Sequence, residues 1–182
     1  MLRYFAAALI AALMGSSPAI AAPMQRSGTV ALLPLAPAAT GLPDAPLPTP
    51  TDLRDLSGHL RAGFVEGGVR VVAVPRVSQA VAARGFTQNS LERSCAEARC
   101  AQAVGRAVGA DAVAYGRVTR LMALIWSTEV TVVDVRTGKQ LAALQGGYKG
   151  GPTEMGVGEI VIGSCLARVL TGKPACKRDR GF

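Results

Sequence analysis

The chain has 182 residues, 49% of them apolar and 18% charged, with 21 Gly, 11 Pro and a formal net charge of +8. That length leaves room for one domain with a sizeable core, and those proportions exclude a wholly disordered or a collagen-like chain. No charge-free apolar run of about 18 residues follows the N-terminal segment, which excludes a protein that crosses a membrane repeatedly.

Residues 1–21 read as a secretory leader. Arg3 gives the positive start, residues 5–14 the short apolar stretch, and Ala19-Ile20-Ala21 the small residues a signal peptidase accepts. Cleavage is expected between Ala21 and Ala22, with residues 22–28 left as a flexible N-terminus. No cysteine follows the apolar stretch near that site, so the mature chain is expected to be a soluble periplasmic protein, not lipid-anchored through Cys.

Residues 29–35 (TVALLPL) read as a buried first strand. Pro34, Pro37, Pro43, Pro46, Pro48 and Pro50 then forbid regular structure, so residues 35–50 form a long loop in which Asp44 is the one group of chemical interest. Thr49 followed by Pro50 and Asp52 has the form of a helix start. Leu53, Leu56, Leu60 and Phe64 give that helix one apolar face, and Gly67-Gly68 stops it. Residues 69–74 read as a second strand, 75–83 as a short helix ended by Gly85, and 87–93 as a polar connection.

Between residues 97 and 109 the small-residue stripe Cys100, Ala101, Val104, Ala107 and Val108 lets a helix pack closely on a sheet, with Gly109 as its stop. Residues 112–119 and 124–135 read as strands, the second burying Leu124, Trp126, Val130 and Val132 and leaving Ser127, Glu129 and Thr131 wet. Residues 134–139 form a turn on Gly138, and 141–144 return as the next strand. The Gly-rich residues 146–158 show no regular pattern. Residues 159–170 read as a closing helix with Ile160, Ile162, Leu166 and Leu170 among its apolar positions, and 172–182 as a basic tail. The order predicts an α/β (α+β) fold: a single mixed β-sheet of about five strands, packed with three to four helices, within a domain at 29–171.

An even number of cysteines in an exported chain points to disulfides, and four allow three connectivities. The pairing expected is Cys95 with Cys100 and Cys165 with Cys176. Residues five apart on one continuous helix cannot be bridged, so Cys95 has to lie before the helix that carries Cys100. The spacings lack the paired CxxC of a zinc site or a thiol redox centre, and no metal or cofactor is expected.

The residues that carry a resemblance are Cys95 and Cys100 before a helix ending in Gly109-Ala110-Asp111, the strand from Ala112 to Val118, and the hairpin Val132-Val133-Asp134-Val135-Arg136-Thr137-Gly138-Lys139. Together they look like the bacterial envelope domains that include the TolB amino-terminal domain and the CsgG-like proteins of curli secretion. Within that group the chain is most similar to an uncharacterised family of small exported proteins, a domain of unknown function, over residues 28–171. The resemblance implies a mixed sheet flanked by helices, a non-enzymatic role binding another envelope protein, and no catalytic residues. The chain departs from that family at residues 150–155 and in a closing helix without Trp.

No GxSxG, HExxH, GxxxxGK[ST] or EF-hand spacing occurs, so no enzyme class is indicated. His59 reads as a boundary residue of the first helix. Asp111 and Asp134 read as turn residues in preference to an acid–base pair, and Glu129 as a wet strand position. Aromatic residues are few and not interleaved with basic clusters, which argues against nucleic acid as a partner. An alternative to protein binding is contact with an anionic small molecule, glycan or lipid surface. Lys173, Lys177, Arg178 and Arg180 would make that contact, with Lys149 in the Gly-rich segment a further candidate.

Overall fold

Side chains alternate along the first strand, so Val30 and Leu32 point to one face of the sheet while Ala31 and Leu33 point to the other. The computed structural model describes residues 28–40, 45–87, 94–174 and 176. Ala21, Ala22 and the rest of the expected leader, Asp44, most of the 87–93 connection, and Lys177, Arg178 and Arg180 lie outside the described residues. In chain order the elements are β1 (Thr29–Leu32), β2 (Ala36–Ala38), α1 (Pro50–Glu66), β3 (Arg70–Val71), α2 (Val74–Ala82), α3 (Ala98–Ala107), β4 (Ala112–Met122), β5 (Ile125–Asp134), β6 (Gln140–Lys149) and α4 (Pro152–Leu170).

The strands form a six-stranded mixed sheet in the order β3-β1-β4-β5-β6, with β2 beside β4. β1 and β2 both run parallel to β4, one beyond the other: Val30 lies opposite Ala112 and Ala36 opposite Arg117. The single strand expected at 29–35 is therefore broken at Leu33-Pro34-Leu35, where Leu33 N donates to Ala114 O (2.9 Å) and Leu35 N to Ser57 Oγ (2.9 Å). It resumes inside the segment expected to lack regular structure. Pro37 is tolerated there because β2 is an edge strand, and the missing N–H is not needed by a second neighbour. β3 is shorter than the expected 69–74: Val72 N still donates to Val30 O (2.9 Å), and α2 then begins at Val74 with Pro75 in its first turn.

α1 starts as the sequence dictates. Asp52 N donates to Thr49 Oγ1 (3.1 Å), Thr49 N donates to Asp52 Oδ2 (3.0 Å), and Gly68, at φ 89°, turns the chain after the helix. Its face of Leu53, Leu56, Leu60 and Phe64 joins Trp126, Val130, Val132, Met155, Ile162 and Leu166 in one core, between α1, α4 and the sheet. α2 and α3 close the opposite face with Val77, Val81, Ala101, Val104, Val113, Val133 and Val135. α1 and α4 approach closely because Gly63 lies against the backbone of Ile160, Gly163 against Leu60 and Phe64, and Gly67 against Ala167.

The Gly-rich segment is ordered into two elements. β6 runs ten residues, six more than expected, because Gly146, Gly147, Tyr148 and Lys149 continue the pairing with Thr128, Ser127, Trp126 and Ile125. α4 begins at Pro152, well before Glu159, with Glu154 Oε2 accepting from Gly151 N (2.8 Å) in its first turn. Cys95 is joined to Cys100 and Cys165 to Cys176, with Cα separations of 5.4 and 5.3 Å. Cys95 precedes α3, which satisfies the geometric condition for the first bridge. Among the described residues no helix is long and apolar enough to cross a membrane.

Candidate interaction surface

β4 and β5 extend past the helices that cover their other halves. At that end Leu121 (37% exposed), Met122 (61%), Leu124 (57%) and Ile125 (37%) form an apolar hairpin tip. Leu124 is thus not in the buried stripe with Trp126, Val130 and Val132 as expected. A register shift between Arg120 and Met122 sets Met122 opposite Ile125, so the turn takes up Ala123 and Leu124 and carries Leu124 beyond the sheet. The tip is held from behind. Arg120 stacks on Trp126, 4.7 Å from the ring centroid, and its Nη2 donates to Ala123 O (3.3 Å), while Gly150 N donates to Leu124 O (2.9 Å).

Next to the tip the second face of the sheet is polar and partly open. The α2/α3 core reaches only Val113, Val133 and Val135 on β4 and β5 and their surroundings, with Tyr115 at its margin. Beyond Tyr115 come two cross-strand rows: Arg117, Glu129 and Gln145, then Thr119, Ser127 and Gly147. Gln145 Nε2 donates to Ser127 Oγ (3.4 Å). Burial pushes the Tyr115 phenol above its usual range, with Glu129 and Glu97 adding to the rise and a hydrogen bond with Thr131 opposing it.

The covered face holds a group that the sequence reading missed. On α4 the residues turned to the sheet are Met155, Glu159, Ile162 and Leu166, so a carboxylate occupies one place of an apolar stripe. Glu159 is fully buried, as is Thr128 on β5. Both Glu159 carboxyl oxygens, Thr128 Oγ1 and Trp126 Nε1 have no hydrogen-bond partner among the described residues. Burial pushes the Glu159 carboxyl up to about 7; Thr128 faces it and offsets part of that rise, without hydrogen-bond geometry. Tyr148 of β6 faces the same carboxyl, and burial first, then the Glu159 charge, raises its phenol. The spacing of Glu159 four residues after Met155 and three before Ile162 was the available signal.

The other expected groups are dispersed. Asp111 Oδ2 accepts from Thr29 N (2.9 Å), and Asp134 Oδ1 accepts from Thr137 N (2.6 Å) and Thr137 Oγ1 (2.8 Å). Burial works to raise Asp134, but the two Thr137 hydrogen bonds together with the charge and backbone N–H of Arg136 outweigh it and hold the carboxyl below its usual range. His59 lies on exposed α1 surface with its ring against Gly156, and Glu129 faces Arg117 across β4 and β5. Lys149 ends β6 opposite Ile125, and Lys173 is exposed after α4. Among the described residues no group of three or more His, Cys, Asp or Glu side chains could hold a metal ion. A small cleft lined by Leu33, Pro34, Ala36, Val81, Thr87, Ser94 and Cys95 has room for little more than one water molecule.

Residues 29–153 match a family model described as "Protein of unknown function (DUF2380)", and the chain belongs to that family, DUF3280. No curated protein matches the sequence. Among solved structures, the fold is similar to the C-terminal domain of LpoB from Escherichia coli, at 17% identity over 69% of this chain and 84% of that one, with a TM-score of 0.50. It is similar to lipoprotein GNA1162 from Neisseria meningitidis, at 19% identity over 68% of this chain and 81% of that one, with a TM-score of 0.50. The solution structure of E. coli LpoB matches at 16% identity over 68% of this chain and 57% of that one, with a TM-score of 0.54. At these identities the likeness is one of fold.

Proposed function

We propose, taking membership of the DUF3280 family as the premise, that this chain is a non-enzymatic protein-interaction module of the cell envelope that docks its partner on the β4–β5 tip. The observation that carries this reading is the cluster Leu121, Met122, Leu124 and Ile125, exposed together at one hairpin and braced by Arg120 and Gly150. Four large apolar side chains on one turn are what a partner surface would bury. A non-enzymatic role is supported by the use of Asp111 and Asp134 in backbone turns and of His59 in helix packing.

Export through residues 1–21, with cleavage between Ala21 and Ala22 into the periplasm, belongs to the same proposal. So does kinship with the TolB amino-terminal and CsgG-like envelope domains. One fold neighbour is named a lipoprotein, which favours an envelope location; this chain has no cysteine near its expected cleavage site and would be free of a Cys-linked lipid.

The test is a photo-crosslinking residue placed at Met122 or Leu124 in the native host, with the same residue at the remote exposed Glu66 as control. A defined protein adduct at the tip positions only, lost on introducing Ile125→Glu, is the expected outcome. Equal adducts at all three positions, or none at the tip with the protein folded and abundant, would refute the docking surface. Binding to anionic vesicles that falls with salt, and is lost when Lys173, Lys177, Arg178 and Arg180 are neutralised together, would favour the alternative of an anionic ligand.

A further inference from the structure

We infer that Glu159 makes the seating of the first half of α4 conditional on its protonation: neutral, the carboxyl keeps its place in the apolar stripe, and ionised, it drives residues 152–159 away from β5 and β6. The inference rests on the burial and packing of this carboxyl and is independent of which partner the hairpin tip binds.

The neighbours of this carboxyl are few in kind. β5 presents the Thr128 hydroxyl, β6 presents the Tyr148 phenol, and α1 brings His59 against Gly156, one turn earlier on α4, while Arg120 of β4 is engaged with the Trp126 ring. Among the described residues no hydrogen bond satisfies either carboxyl oxygen. A neutral carboxyl tolerates such a place poorly and a carboxylate far worse, since its charge would be removed from water with only the Thr128 hydroxyl facing it and no opposite charge. Burial, offset in part by Thr128, pushes the group up to about 7, so the change of state falls in a physiological window. The cheapest relief is to move the segment that bears it.

That segment is built to yield. Gly156 and Gly158 lie within it, Gly150 and Gly151 precede it, and glycine is the weakest ordinary helix former. Its contact with β6 is a Tyr148 ring set in the space that Gly146 and Gly158 leave open. The second half of α4 is fixed by the Cys165–Cys176 bridge, by Leu166 in the core and by Ala167 against Gly67. Movement of the first half reaches the tip directly, because Gly150 N is bonded to Leu124 O.

Trp126 is the sole tryptophan, is 2% exposed and shares its core with Met155 of α4 and its cross-strand position with Tyr148, so its emission reports the seating of α4. The purified protein is titrated from about pH 5 to about pH 9, with amide exchange of residues 155–159 followed in parallel. The expected result is a red shift of emission with a midpoint near neutrality, and exchange at 155–159 that rises beyond base catalysis, relative to α3. Glu159→Gln keeps the low-pH emission throughout. If that variant does not fold, Glu159→Met, which completes the apolar stripe, is expected to behave the same way. A flat wild-type titration overturns the inference, as does an unchanged midpoint in the Glu159 variant or a midpoint abolished by His59→Gln.

Discussion

Adding one methyl group to α1 should change stability in opposite directions at two positions five residues apart. At Gly63 a Cβ would meet the backbone of Ile160, with its C and Cα atoms at 2.8 and 2.9 Å and its carbonyl oxygen closer still. Backbone cannot rotate away as a side chain can, so α1 and α4 have to separate, loosening Leu60 and Phe64 from Ile162 and Leu166. Overpacking of this kind costs roughly 1–3 kcal/mol, against about 1 kcal/mol gained in helix propensity when Gly becomes Ala. Because the clash is with main chain, the upper end applies, and Gly63→Ala is expected to lose about 2 kcal/mol net. At Gly58, exposed in the same helix, a Cβ meets nothing within 4 Å, so Gly58→Ala keeps only the propensity gain of up to about 1 kcal/mol. For a domain of this size these values correspond to a Tm lowered by roughly 4–8 °C and raised by roughly 2–4 °C. Denaturant melts followed by Trp126 emission and calorimetry would measure both. Stability of Gly63→Ala equal to or above the wild type, or a shift of both variants in the same direction, would refute the close crossing of α1 and α4.

Three further outcomes follow from the same packing. Glu159 is raised from 4.5 to about 7 on folding, so below 4.5 both states are protonated and stability is full; as pH rises to about 7 the unfolded chain ionises first, and roughly 3 kcal/mol is lost, a slope that Glu159→Gln should abolish in urea melts at graded pH. Replacing both cysteines of a bridge by serine should lower stability by roughly 3 kcal/mol for Cys165–Cys176, separated by 11 residues, and roughly 2 kcal/mol for Cys95–Cys100, separated by 5, an order that thermal melts of the two variants would check. Met122→Ser and Leu124→Ser remove exposed groups and should shift stability by less than about 0.5 kcal/mol while reducing crosslinking at the tip; a large loss of stability would mean that these side chains serve the fold and not a partner.

Local chemistry was enough to place much of this fold from the chain alone. Thr49 and Asp52 can satisfy each other only at a helix start, Gly138 at φ 72° fits a position that ordinary residues avoid, and the alternation around Val130 and Val132 has one buried reading. Each of these signals is complete within a few neighbouring residues. The mixed sheet with helices on it follows from their order.

What required the tertiary structure depends on partners distant in sequence. Gly146 and Gly147 read as strand breakers until β5 offers them a ladder, and Pro37 breaks no strand when β4 pairs with it from one side only. Leu124 alternates with Trp126 as a core residue would, yet the helices end short of it and leave it in solvent. Glu159 is an ordinary polar residue of a glycine-rich helix until Met155 and Ile162 are brought down on Thr128 and Tyr148, and its burial is then a property of the whole interface. Hydrogen bonds to near neighbours are set by the chain itself. Which surfaces are withdrawn from water is set by what else the fold places against them.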